Sequence, residues 1–326
     1  IGPYEHHSNL LPWRESGATL VEIKEAQDGG VDLNDLETKL LQYFGKGMLI
    51  GAFSAASNVT GVCTDPAPVS KLLKAYGGRI LWDYAGGAPY LPMSMQPGSV
   101  AIDALVFSPH KFIGGPGASG VLVIRRDAVE TDTPNRPGGG TVVFVNAHQH
   151  DYVTRLEQRE EGGTPNVIGD IRAALAVLVK EAIGQETIDQ INLRLSEFSR
   201  SKFKTMENIH LLASNRQDRL PIFSFVPLNR HGSRIDYKAF TTALSEREGI
   251  QARGGCSCAG PYVHTLLDID APTSAQLRSE LLEGDENGKP GFVRFNLSYL
   301  MDDSSISAIF DGISKVCAEF DAENCG

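Results

Sequence analysis

The chain has 326 residues and a formal net charge of −10, with 21% charged and 41% hydrophobic residues. That length can bury the core of one large domain or two, and the composition is that of a soluble globular protein. The acidic balance, without a basic stripe, argues against nucleic acid as a partner, and no apolar run approaches the roughly 20 residues that span a bilayer.

Ile1-Gly2-Pro3-Tyr4 reads as the tail of a buried strand, so the chain is expected to start in mid-fold. Ala18–Ile23 reads as a strand. Asp32–Phe44 reads as a helix capped by Asp32, with Leu33, Leu36, Leu40 and Leu41 on its inner face. Met48–Phe53 is a strand, Pro66–Tyr76 a helix with Val69, Leu72 and Leu73 inward, and Arg79–Trp82 a strand ending at Asp83. Ala104–Phe107 and Gly120–Ile124 are further strands. This alternation implies a mostly parallel sheet flanked by helices. Ile171–Ile183 and Thr187–Met206 read as long helices, Leu220–Val226 as a strand, and Ser233 to Asp236 as a capping-box-like start to a helix ending near Gly249. Phe292–Leu297 is a strand. The last helix carries Ile306, Ile309, Phe310, Ile313, Cys317 and Phe320 on one face. Pro134–Gly140 and Asp285–Pro290 are loops by composition. The expected division is a large domain over residues 1–189 and a smaller α+β domain over 190–326.

Five cysteines, Cys63, Cys256, Cys258, Cys317 and Cys325, form an odd, sparse set rather than a disulfide framework, and a cytoplasmic, reducing compartment is the default. No signal peptide is visible.

In open parallel sheets, ligands sit beyond the carboxyl ends of the strands. Asn58, Asp83 and Ser108 to Lys111 fall at such ends. Taken alone, Asp83 is equally well read as a strand-end turn residue. Lys111 is different. It lies where the apolar strand Ala104-Leu105-Val106-Phe107 meets the turn Gly114-Gly115-Pro116-Gly117, away from any solvated helix face. Cys256-Ser257-Cys258 with His264 nearby has a metal-site flavour, but no second ligand cluster completes it, so no metal is expected. His148-Gln149-His150-Asp151 reads as exposed polar residues in a loop, and Cys317 as core.

Ser108-Pro109-His110-Lys111 with Gly114-Gly115-Pro116-Gly117 resembles the cofactor-lysine segment of class V aminotransferases, and within them that of cysteine desulfurases and selenocysteine lyases. Six further segments follow in the family's order: Glu5-His6-His7-Ser8-Asn9 with Pro12-Trp13, Ser57-Asn58-Val59-Thr60-Gly61, Asp83, Gly138-Gly139-Gly140-Thr141 with Glu161 to Asn166, Arg253-Gly254-Gly255-Cys256-Ser257-Cys258-Ala259, and Arg294. The resemblance implies a pyridoxal 5'-phosphate (PLP) enzyme of fold type I, an α/β architecture with a smaller C-terminal α+β domain.

It also implies roles. Lys111 forms the Schiff base and moves the Cα proton. Asp83 pairs with the pyridine nitrogen, His6 stacks on the ring, and Ser108 and His110 bind phosphate. Thr164 reaches the cofactor phosphate of the neighbouring subunit in a homodimer. Asn58, Arg253 and Arg294 bind the substrate, with Arg294 as a two-pronged donor to a carboxylate. Cys258 takes sulfur from L-cysteine, leaving alanine and a persulfide for a sulfur-acceptor protein. Apart from the resemblance, the position of Cys256 two residues before Cys258 makes it a candidate to resolve that persulfide. Another class V reaction on a small amino acid, or a binding protein that has lost catalysis, are the alternatives. The chain departs from the family in three places. Gly86 stands where desulfurases commonly carry glutamine, Asp268–Pro290 reads as an insertion, and the phosphate-binding Gly/Thr loop is expected upstream of Glu5.

Overall fold

The structure, a computed structural model, describes residues 1–323; Cys325 lies outside them. The first turns are the short helix α1 (Leu11–Glu15) and α2 (Leu33–Tyr43), the latter capped by the Asp32 carboxylate, which accepts from the Asn34 and Asp35 amides. Leu36 and Leu40 of α2 are buried, whereas Leu33 and Leu41 face out, correcting the inner face expected for them. Strand β1 (Ile50–Ser54), helix α3 (Pro66–Ala75), strand β2 (Arg79–Asp83), strand β3 (Ala104–Phe107) and strand β4 (Val121–Ile124) follow. The four strands form one sheet in the order β1-β2-β3-β4, parallel across β1, β2 and β3 and antiparallel at β4. Because β1 to β3 run the same way, their carboxyl ends emerge along one edge. The register puts Ser54, Asp83 and Val106 side by side there.

The segment expected as a strand at Ala18–Ile23 joins no ladder; Ile1 N donates to Val21 O, Ile23 N donates to Ile1 O, and the Lys39 amine donates to Glu22 O. The residues His148 to Asp151 belong to a hairpin, β5 (Val142–Val145) with β6 (His150–Tyr152), rather than to a loop, although they are exposed as expected. A short helix α4 (Leu156–Arg159) precedes the long helices α5 (Val167–Ile183) and α6 (Gln185–Phe203), so the expected boundary after residue 189 falls inside α6.

The second sheet is antiparallel, in the order β7-β8-β10-β9, from β7 (Ile209–Leu211), β8 (Ile222–Pro227), β9 (Arg253–Gly255) and β10 (Phe292–Asn296). Helix α7 (Tyr237–Glu248) starts after Asp236, whose carboxylate caps Ala239 N, and ends at Gly249 in the left-handed conformation. Helices α8 (Gly260–Leu266) and α9 (Ala271–Leu282) lie before β10, and α9 occupies residues 271–282 of the expected insertion 268–290. The last helix, α10 (Asp303–Glu323), buries Ile306, Phe310, Ile313 and Cys317 together with Val316. Among the described residues no helix is long and apolar enough to cross a membrane.

The two sheets have separate cores. One gathers Phe53, Ile80, Trp82, Leu105 and Leu73; the other is an aromatic cluster around Phe203, Phe223, Phe225, Phe295 and Phe310. Phe310 meets Phe198, Phe203 and Phe295 at ring-centroid distances of 5.8, 5.4 and 5.9 Å, and is 1% exposed. Phe310→Ala therefore removes both area and edge-to-face contacts, and unfolding in urea should show a loss of about 3–5 kcal/mol. A loss under about 1 kcal/mol would mean the cluster repacks around the gap.

Candidate functional site

The site begins with a buried carboxylate. Glu5 accepts from Ser54 N at 2.9 Å, Ser54 Oγ at 2.6 Å and Asn9 Nδ2 at 2.6 Å, which fastens the segment 5–9 onto the end of β1. Desolvation raises the Glu5 pKa, and these donors oppose the rise. Next in the chain, His6 turns its ring towards the sheet edge. Its Nδ1 accepts from Ser8 N at 3.1 Å, so the neutral ring carries its proton on Nε2.

Asp83 ends β2, 8% exposed, with Oδ1 accepting from Ala85 N at 2.7 Å. Beyond β3, Ser108 opens a tight 3-10 turn in which Lys111 N donates to Ser108 O at 3.0 Å. Gly115 lets the chain fold back on this turn, since a Cβ there would meet Pro109 O at 1.9 Å. The turn thus fixes where the Lys111 side chain leaves the backbone.

His6, Asn58, Asp83, Ser108, His110 and Lys111 line one cavity of about 560 Å³, together with Trp13 and Gly86. That volume suits a small-molecule ligand. The groups act on one another electrostatically. Desolvation raises the Asp83 pKa, and Lys111 and His6 pull it back. Lys111 is exposed along the cavity wall, and desolvation by the surrounding protein lowers its pKa; Asp83 opposes that fall and Arg294 adds to it. Desolvation also lowers His6, with Lys111 contributing and Asp83 opposing. An amine, a carboxylate and an imidazole therefore share one field, and the amine is more easily deprotonated than an ordinary lysine.

The cysteine turn is tied to this cavity from two sides. Asn58 Nδ2 donates to Ser257 O at 2.7 Å, and His7 N donates to Cys258 O at 2.8 Å. His7 also grips the residue after the turn, its Nε2 accepting from Gly260 N at 3.0 Å. Arg294, on β10 beside Arg253 of β9, donates from Nη1 to Asn58 O at 2.6 Å. Burial lowers the Arg294 pKa, the Arg253 charge adds to this, and Cys258 opposes it. The Asn58 Oδ1 atom is buried without a partner, an acceptor left for an incoming donor.

The other expected residues lie further out. Cys258 is exposed in its turn, Arg253 is exposed on β9, and neither lines the cavity. Thr164 is exposed in a loop packed on the glycine segment 138–140, where Gly163 N donates to Gly139 O at 2.8 Å. Glu5 and His7 had no assigned role in the sequence. The spacing of Glu5 to Asn9, and two adjacent histidines, were the only local signals of one.

Fold and site together define an α/β protein that presents an amine, a carboxylate and an imidazole to a ligand at the carboxyl edge of a parallel sheet. The chain belongs to the aminotransferase class-V family, whose sequence profile matches residues 1–307. It is 27% identical over 279 residues to a protein named "Probable cysteine desulfurase" from Halalkalibacterium halodurans, covering 84% of this chain and 64% of that protein. It is 28% identical over 267 residues to the cysteine desulfurase of Shigella flexneri, covering 81% of this chain and 62% of that one. The chain thus spans less than two thirds of the length of these curated relatives. Among solved structures, the apo cysteine desulfurase of Thermococcus onnurineus NA1 superposes with a TM-score of 0.79 at 25% identity, covering 98% of this chain and 72% of that one. The cysteine desulfurase CsdA of Escherichia coli shares the fold, with a TM-score of 0.76 at 24% identity, covering 98% and 71% of the two chains.

Proposed function

We propose that this chain is the part of a PLP-dependent cysteine desulfurase that carries the cofactor lysine and the sulfur-accepting cysteine. One observation carries the reading. Asn58 lines the cavity of Lys111 and Asp83 and, through the same side chain, holds the turn of Cys258. Amine and thiol chemistry are thereby joined by one residue. The similarity to cysteine desulfurases supports it.

The cavity fits PLP. Lys111 offers the amine for covalent attachment, Asp83 a carboxylate for the ring nitrogen, His6 a flat ring, and Ser108 and His110 polar groups for phosphate. When bound, PLP supplies an electron sink that acidifies the substrate's Cα and labilises its Cβ–S bond. The residues of this chain do the rest. Lys111, its pKa lowered, takes and returns the Cα proton. Arg294, with Arg253 beside it, receives the carboxylate of L-cysteine. The Cys258 thiolate attacks the substrate's sulfur. The Cβ–S bond breaks, its electron pair stays on Cβ and is protonated, and alanine leaves while the sulfur remains as a Cys258 persulfide. The exposed turn then offers that persulfide to an acceptor protein. Thr164, exposed, is offered to the cofactor phosphate of a second copy in a homodimer.

Cys258→Ala tests the reading. Alanine release from L-cysteine should fall to background, while the borohydride-fixed cofactor on Lys111 is unchanged. Undiminished alanine release by the variant would overturn the role of Cys258.

A further inference from the structure

Four cysteines lie in the described residues and none is in a disulfide. Two are poor nucleophiles. Burial raises the Cys63 thiol strongly and pushes Cys317 up to about 12, so both stay protonated. The other two, half-buried Cys256 and exposed Cys258, share a single turn that the desulfurase reading uses only in part.

The backbone of that turn is unusual. Ser257 (φ 50°) and Cys258 (φ 56°) are consecutive non-glycine residues in the left-handed region, and Ala259 N closes the turn on Cys256 O at 3.3 Å. Left-handed non-glycine residues are strained and persist where the surroundings hold them. Here Asn58 holds Ser257 O, while His7 holds Cys258 O and Gly260 N. A left-handed central residue folds the chain back, so the two cysteine Cα atoms stand about 5–6 Å apart, inside the roughly 4.4–6.8 Å that a disulfide bridges. Cys256 is half-buried and packs on the cluster that holds Tyr262 and Phe292, while Cys258, two residues on in the same turn, is exposed.

We infer that Cys256 is the resolving thiol of Cys258, closing a Cys256–Cys258 disulfide whenever Cys258 carries a sulfur-bonded leaving group. This rests on the desulfurase reading for its natural leaving group. The Cys256 thiolate attacks the Cys258 Sγ. The bond from Sγ to the outer persulfide sulfur breaks, and that sulfur departs with the electron pair as hydrosulfide. The two cysteines are oxidised to the disulfide by two electrons, and the outer sulfur is reduced by the same two. A dithiol reductant then restores both thiols. The site would thus release free sulfide to a dithiol-rich environment, besides passing persulfide to a partner.

Two arms test this. In the first, wild-type protein and C256S are incubated with oxidised glutathione, alkylated and mapped by peptide mass. The wild type should lose the glutathione and show an internal 256–258 disulfide, while C256S retains a stable glutathione adduct on Cys258. A stable adduct on the wild type overturns the inference, whatever the protein does with cysteine. In the second, the holoenzyme receives L-cysteine without reductant. Wild type should release about one equivalent of hydrosulfide per site and end as the disulfide, whereas C256S keeps the extra sulfur on Cys258. Equal persulfide on both proteins overturns the inference. Absence of alanine from the wild type instead overturns the desulfurase reading, and the glutathione arm still judges the pair.

Discussion

Lys111→Ala is expected to leave the fold intact and, on the proposed reading in which one group supplies both covalent attachment and proton transfer, to lower alanine release from L-cysteine by at least about 10³-fold. The fold survives because the 3-10 turn is held by backbone bonds, Lys111 N to Ser108 O and Phe112 N to Pro109 O, and by the close approach that Gly115 permits. The side chain itself is exposed, lines the cavity and is no part of either core. Its lowered pKa tells the same story, for an amine that is easily deprotonated is a better nucleophile and a worse surface charge. Borohydride treatment followed by dialysis and peptide mapping gives the readout. Wild type should retain the cofactor on the peptide containing Lys111, and the variant should retain none. Cofactor fixed on another lysine would move the site elsewhere. Another perturbed amine, Lys180, has a pKa lowered to about 8 by burial, but it is engaged with the carbonyls of Ala88 and Leu91.

The placement of Asp83 and of the Lys111 turn at one sheet edge was legible in the sequence because each follows a short apolar strand, and strand ends in a parallel sheet share an edge. The register of Asp83 beside Val106 bears out that inference in detail. What the sequence hid depended on partners far along the chain. His7 looks like a spare histidine until Gly260, 253 residues away, is seen to donate to it. Glu5 gains its meaning from Ser54. Helix α9 escaped notice because none of its residues is buried, so it has no apolar stripe to announce it. Ala18–Ile23 misled for the opposite reason. Its apolar run is real, and Ile23 is buried, but periodicity cannot say whether a ladder partner exists. Leu33 and Leu41 of α2 likewise kept the helical spacing while facing out.

Asp83→Asn should separate electrostatics from architecture. Asparagine keeps an oxygen to accept from Ala85 N, and the β1-β2-β3 register does not involve the side chain. Stability should not fall. Burial raises the Asp83 pKa above 3.8, so the folded chain holds this proton more tightly than the unfolded one. Stability contributed by such a group declines as pH rises through that window, and the carboxylate is a cost at neutral pH that asparagine removes. Thermal unfolding of the apo variant at pH 7 should thus match or exceed wild type. Function should move the other way. Asp83 raises the pKa of both Lys111 and His6, so its removal sends both further down, and the midpoint for modification of Lys111 by an amine reagent should shift to lower pH. Alanine release should fall by about 10²- to 10³-fold, the usual cost of deleting one preorganised charge from a reaction site. An unshifted Lys111 midpoint would show that the carboxylate and the amine do not share a field, and the assignment of a ligand between them would go with it. A shifted midpoint with lost turnover and retained stability would instead identify Asp83 as a residue kept for chemistry at the expense of the fold.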